Sequence, residues 1–313
     1  MDWAHVVIPH ADKVYAARNP HYHYFYYPGY TDDFLFVNTT RYPLSLVAFR
    51  KALSLAMNRR AYSINAHYGY ALPADIQGVA DISGKQGPWP GWVDPSIPQT
   101  LAQYNPTAAR QLLKSAGFTW NAGGHLIDPK GKPVKLELLN GFYLPQATIE
   151  QQNFQALGID VTLSNVQFAV FYGRITKGNF DLFDGWNNGG SSPYFLYYTT
   201  VSRQSYAPIG KDLSLISGNY YNWGRWKNPA MDALLQQFKV TVDPAKQHAL
   251  VDKMQQLFVQ YLPYIPTCTE IVDSNYNDAH FTGFPTLQDN YAYTMPYGIP
   301  GDTILMLTHI HPA

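Results

Sequence analysis

Cysteine is nearly absent from this chain of 313 residues, and Cys268 is the only one. No intrachain disulfide and no thiolate metal cluster can form, so a buried, inert thiol is expected. Charge is scarce too: charged residues are 14% of the chain, and 22 Lys or Arg balance 22 Asp or Glu to a formal charge of zero. That balance excludes a broad basic field for nucleic acid and a polybasic membrane surface. No apolar run reaches the roughly 18 residues of a membrane span. The start, Met1-Asp2-Trp3, lacks the positive region and apolar core of an export signal. The expectation is a chain that stays inside the cell or one that is mature or truncated. Glutamate is limited to Glu137, Glu150 and Glu270, and the Gly-rich phosphate loop, nucleophile elbow and His-Glu-x-x-His motifs are missing. No catalytic residue and no cofactor is therefore assigned.

What the chain does have is rings. Twenty-five Tyr, 16 Phe and 7 Trp, within a chain that is 46% apolar, exclude disorder for most of the length. They suggest flat amphipathic surfaces turned toward something polar and uncharged, besides a large core. Asn105-Pro106, Asn228-Pro229 and Asp243-Pro244 each set a capping side chain before a proline suited to the first helical position. Apolar residues at three-to-four spacing follow each cap, and Gly117 is a natural terminator of the first helix. Further helices are predicted near Leu44–Asn58, Pro145–Leu157, Phe168–Lys177 and Pro193–Val201. Strands are predicted at Lys135–Leu139, Ile159–Leu163 and Phe180–Trp186. Their alternation predicts an α/β lobe holding Leu136, Val161 and Leu182 in one sheet. The segments Gly84–Pro98 and Ser202–Lys227 read as long, aromatic, irregular loops.

Two short His pairs, His21-Tyr22-His23 and His309-Ile310-His311, put imidazoles on one side of a strand, yet no partner lies at metal-ligand spacing, so no metal is assigned. Asp181 and Asp184, three apart on a strand, point to opposite faces. The segment from Gly185 through Trp186, Asn187 and Asn188 to Tyr194 leaves a strand at its carboxyl end, where α/β sheets hold ligands. Asn219, Tyr221 and Trp223 repeat the same chemistry downstream. Amides suit hydroxyl groups and indoles suit the apolar faces of sugar rings, which marks a neutral-sugar site. The same rings could equally seal a core beneath loops, and composition leaves both readings open.

The run Arg50-Lys51-Ala52-Leu53-Ser54 leading to Met57-Asn58-Arg59 resembles the Arg-x-Ala-Leu…Asp-Arg helix of the family 5 extracellular solute-binding proteins, which serve ABC importers of peptides, nickel and oligosaccharides. Other blocks follow in the family's order: Tyr104-Asn105-Pro106 through Ala116-Gly117-Phe118, Gly131-Lys132-Pro133, Phe180-Asp181-Leu182 with Gly185-Trp186, Asn228-Pro229, and Leu262-Pro263 with Ile265-Pro266. Gly283-Phe284-Pro285-Thr286 and Asn290-Tyr291-Ala292 are similar to the tail of the branch that binds cello-oligosaccharides. The resemblance implies a periplasmic-binding-protein-like type II lobe, with a mixed sheet flanked by helices and remnants of a second lobe. It divides the chain into a lead-in (1–38), a ligand-facing lobe II (39–270) and a C-terminal return (271–313), most of lobe I being absent.

The implied function is non-enzymatic: the substrate-binding component of an ABC importer, outside the cytoplasm, partnered by permease subunits and by lobe I. Peptide binders of the family carry an aspartate after the Gly-Trp pair, and Asn187–Ser192 has no acid. Oligosaccharide of cello or xylo type is thus the leading ligand, oligopeptide the second, and glycoside hydrolysis the third reading. Trp186, Asn187, Asn188, Tyr194, Asn219, Tyr221 and Trp223 would line the cleft. Phe34–Val37 and Ile304–Leu307, continuous apolar runs, are expected to be strands left without neighbours by the absent lobe.

Overall fold

A computed structural model of the chain describes residues 2–4, 6–79, 91–186, 192–216, 221–286, 288–289, 291–292 and 300–313. In chain order the elements are β1 (Trp3–Ala4), α1 (Ala11–Val14), β2 (Tyr22–Val37), α2 (Val47–Ala56), α3 (Arg59–Ala66), α4 (Pro106–Ser115), β3 (Thr119–Trp120), β4 (Leu126–Ile127) and β5 (Lys135–Asn140). There follow α5 (Leu144–Gln155), β6 (Asp160–Asn165), α6 (Phe168–Thr176), β7 (Leu182–Gly185), α7 (Pro193–Val201), α8 (Pro229–Val240), α9 (Pro244–Tyr261), β8 (Tyr264–Asn277), β9 (Phe281–Thr282), α10 (Pro300–His309) and β10 (His311–Pro312).

The helix starts are built as their caps require. Asn105 accepts from the Ala108 N–H at 2.9 Å, Asn228 from Ala230 at 2.8 Å and Asp243 from Lys246 at 3.0 Å, each with proline in the first turn. Past α5 the chain turns at Gly158, whose φ of +91° and approach to the Gly124 carbonyl leave no room for a Cβ.

Six strands form one mixed sheet in the order β1-β8-β2-β7-β5-β6. The parallel half sets Leu136 beside Val161 and Leu138 beside Leu182, as the α/β alternation predicts. The antiparallel half is a long ladder between β2 and β8, from Tyr22 opposite Asn277 to Phe36 opposite Tyr264, with register shifts on both sides of Asp32. β8 runs unbroken from Tyr264 to Asn277.

Phe34–Val37 departs from expectation. All four side chains are fully buried and their strand lies between β7 and β8, with neighbours on both sides. The apolar run is that of a central strand, supplied with its partners by this chain itself. Ile304–Leu307 is no strand: it belongs to α10, with Met306 buried and Ile304 and Leu307 60% exposed or more. A four-residue apolar run carries no period that separates helix from strand, and Pro300 favours a helix start.

Two buried cations tie the helices to the sheet. Arg50 on α2 donates to the carbonyls of Tyr261 at 2.6 Å and Leu262 at 2.8 Å, meeting the unsatisfied C-terminal end of α9. Arg59 on α3 donates to Pro266, Ser54 and Ala102 carbonyls at 2.8–3.1 Å. Burial lowers both guanidinium groups to about 10, which leaves them charged at neutral pH.

On β5, Glu137 receives two hydrogen bonds from Arg174, at 2.9 and 2.5 Å, which hold its carboxyl below the usual 4.5. The folded value is depressed, so the pair's stabilisation is complete above the unfolded value and disappears as pH falls through the folded one. Glu137→Gln is expected to cost about 0.5–1 kcal/mol at neutral pH. Urea unfolding of both proteins should show the gap closing as pH falls below the ordinary carboxylate range.

Candidate ligand-binding site

From β5 the chain passes through α5 to β6 on one side, then through α6 back across β5 to β7 on the other. The reversal makes the carboxyl end of β5 a topological switch point, the place where open α/β sheets receive ligands. Gly141 leaves β5 there, and a Cβ at this position would sit 2.5 Å from the Phe171 ring. Only glycine lets the backbone pass so close above that ring. The Asn140 side chain closes the turn, accepting from the Tyr143 N–H at 2.8 Å and donating to Asn165 at 2.8 Å.

The turn delivers Phe142 into a group of rings. Its centroid is 5.1 Å from Trp186, 5.7 Å from Phe168 and 5.3 Å from Phe171, and Tyr172 lies 6.0 Å beyond Phe168. Phe168 is 52% exposed, Tyr172 41% and Phe142 38%. Contiguous rings open to solvent at a strand-end crevice form a binding platform more readily than a core. Sequence reading did not single out Phe142, Phe168 or Tyr172. Their signal was present: Gly141-Phe142 follows one strand end as Gly185-Trp186 follows another.

Of the residues drawn from the sequence, Trp186 is half-buried on this platform. Trp223 stands edge-on beneath it at 6.0 Å, packed against Phe36 and Phe183 and only 2% exposed. Tyr221 is half-buried, 4.8 Å from Trp223. Tyr194 is 5% exposed and stacks on Phe238 of α8 at 4.4 Å, and burial pushes its phenol up to about 12. Asn187, Asn188 and Asn219 lie outside the described residues. The rings most open to solvent are therefore Phe142 and Phe168, beside the half-buried Trp186 that rests on Trp223.

The His pairs separate. His309 ends α10 and His311 begins β10, so they share no strand, while His21 and His23 both meet Asp278, at 2.7 and 2.8 Å. Asp181 pairs with Arg41 at 2.8 Å, and Asp184 is buried, accepting from the Tyr62 hydroxyl.

Asp184 is not alone there. Asp33 on β2 and Glu150 on α5 are likewise at most 2% exposed, and burial with mutual repulsion pushes both carboxyls well up. Burial raises Asp184 to about 8 and lowers His67 to about 4, leaving the acid protonated and the imidazole neutral at pH 7. The Tyr143 hydroxyl, next to Phe142, feels Asp33 and Asp184 and is raised as well, chiefly by burial. These acids lie closed behind the platform. They do not form the open, facing carboxylate pair of a glycosidase.

Residues 1–207 match the family model described as bacterial extracellular solute-binding proteins, family 5, middle. The chain belongs to this family. Among relatives of this family 5 chain, the nickel-binding periplasmic protein of Escherichia coli K12 is 29% identical over 175 residues, which are 53% of this chain and 30% of that one. The glutathione-binding protein GsiB of Shigella dysenteriae is 24% identical over 90% of this chain and 50% of its own. The chain thus spans half or less of the curated relatives it matches. The periplasmic oligopeptide-binding protein of Thermotoga maritima, solved with mannohexaose bound, covers all of this chain with 58% of its own, at a TM-score of 0.77 and 22% identity. The fold is accordingly that of a type II periplasmic-binding-protein lobe. Among the described residues no helix is long and apolar enough to cross a membrane.

The burial difference between the two indoles is measurable. Trp223→Ala is expected to cost about 3–5 kcal/mol of stability, as large aromatic truncations in cores do. Trp186→Ala should cost clearly less, and chemical unfolding of the two variants side by side checks the order.

Proposed function

We propose that this family 5 chain is the ligand-facing part of the substrate-binding component of an ABC importer, and that its ligand is a neutral oligosaccharide of cello or xylo type. The observation that carries the reading is the solvent-open platform of Trp186, Phe142 and Phe168 at the switch point. Flat rings match the apolar faces of pyranoses, and the acid-free stretch from Trp186 to Ser192 adds amides for their hydroxyl groups. A peptide would bring an ammonium group. The nearby acids are buried, and burial disfavours the charged form of Asp184 that an ammonium group would need.

In this reading residues 39–270 present the site, while 1–38 and 271–313 connect it to a second lobe that closes over the ligand. Function is capture and delivery to permease subunits outside the cytoplasm, with no bond broken. The mannohexaose found with the Thermotoga maritima protein supports sugar as a ligand class for this fold. The names of other relatives carry nickel and glutathione, so ligand identity rests on the platform itself.

Calorimetric titration with cello-, xylo- and manno-oligosaccharides and a set of short peptides tests the proposal. Trp186→Ala and Phe142→Ala should each weaken sugar binding by about 1–3 kcal/mol, roughly tenfold to a hundredfold, as loss of a stacked ring does. Tyr194→Phe should leave affinity unchanged, because its ring faces α8. Binding of peptides without sugars would overturn the ligand, and full sugar affinity in Trp186→Ala would overturn the site.

A further inference from the structure

Behind the platform lies a set of groups that sugar binding does not use. Asp33 on β2, His67 just past α3 and Cys268 on β8 are all buried, and their ligating atoms lie within 4.8 Å of one another. His67 Nε2 is 3.8 Å from Asp33 Oδ2, and Cys268 Sγ is 3.9 Å from the same oxygen. Two ligands bonded at about 2.0–2.3 Å around a tetrahedral ion stand roughly 3.3–3.6 Å apart. The two contacts at Asp33 would close by a few tenths of an ångström, and His67 and Cys268, within 4.8 Å of each other, by up to about 1.3 Å.

Within the set the Cys268 thiol donates to Asp33, and Gln146 Nε2 meets His67 Nε2 at 3.4 Å, while several oxygens around them have no partner. Asp33 Oδ1, both oxygens of Glu150, Asp184 Oδ1 and Gln146 Oε1 are buried without a hydrogen-bond partner. Arg59, close enough to Cys268 to interact with it electrostatically, donates to the carbonyls of Pro266, Ser54 and Ala102 and to the Ser54 hydroxyl. Among the described residues Asp33 lies 3.8 Å from the neutral His67 imidazole, and neither Glu150 nor Asp184 makes an ion pair. Gathered this closely, a carboxyl group, an imidazole and a thiol offer the donor set of a metal site, with two further buried carboxyl groups nearby.

We propose that Asp33, His67 and Cys268 bind one divalent ion of the zinc class, with water or one of the carboxylates Glu150 and Asp184 in the fourth position. A donor set of one nitrogen, one sulfur and one oxygen suits late first-row ions and disfavours calcium and magnesium, which take oxygen. The ion would pin β2 and β8 to the end of α3, and the inference stands whether or not the ligand is a sugar.

Cobalt(II) is the probe, because thiolate coordination to it produces a near-ultraviolet charge-transfer band and intense visible bands in a tetrahedral field. Chain stripped with a chelator should take up one equivalent with that spectrum, and zinc should displace it. Cys268→Ser should lose the charge-transfer band and bind about tenfold more weakly or worse, since even outer partners of a metal ligand are worth that much. The double variant His21→Ala, His23→Ala, which removes the exposed imidazoles at Asp278, should keep the full spectrum. Should Cys268→Ser fail to fold, X-ray absorption on the unaltered cobalt-loaded chain must show sulfur at about 2.3 Å. No uptake, uptake without a sulfur neighbour, or loss of the signal in the His21/His23 variant would each overturn the proposal.

Discussion

The antiparallel ladder between Tyr22–Val37 and Tyr264–Asn277 is the constraint on which the rest of this molecule depends. It joins segments more than two hundred residues apart, and every other strand of the sheet hangs from one edge of it or the other. β1 pairs with its outer edge and β7, followed by β5 and β6, with its inner edge. The two buried arginines reinforce it from the helical side: Arg50 holds the chain where α9 ends before β8, and Arg59 grips β8 itself at Pro266. Replacing either would leave several buried carbonyls unpaired at once, each costing about 1–3 kcal/mol.

From that ladder inward, the aromatic residues form one continuous body. Phe36 of β2 stacks on Phe183 of β7 at 4.9 Å, and Trp223 meets Phe36 edge-on at 4.9 Å. Trp223 then carries Trp186, and Phe171 carries Phe142. The rings offered to solvent thus rest directly on rings of the core. A surface seated this way loses little conformational freedom on binding, which is where much of the cost of recognition otherwise falls.

Much of this was legible in the residues. Asn105, Asn228 and Asp243 announced their helices because capping chemistry is local, and the alternation between Lys135 and Trp186 announced the parallel strands. The pair Arg50 and Arg59 pointed to the family, although their duty toward distant carbonyls is visible only in three dimensions. What stayed hidden is what depends on contacts far apart in sequence. Tyr194 and Trp223 look like ligand residues beside Asn and Gly, and the structure turns one to Phe238 and the other to Phe183. Asp33, His67 and Cys268 are separated by 34 and 201 positions, and no spacing rule gathers them. The apolar stretch Ile304–Leu307 was too short for its period to speak.

The long ladder also sets an order of events. Phe34–Val37 leaves the ribosome more than two hundred residues ahead of its partner in β8, which begins at Tyr264. On a chain made at about 5–20 residues per second, those four apolar side chains wait some tens of seconds or less for their neighbour. Contacts of such separation also close slowly once both strands exist. During that interval an unpaired, fully apolar strand edge is exposed to any other nascent copy. Yield in the cell should therefore depend on whatever shields this edge during synthesis, as much as on the stability of the finished fold.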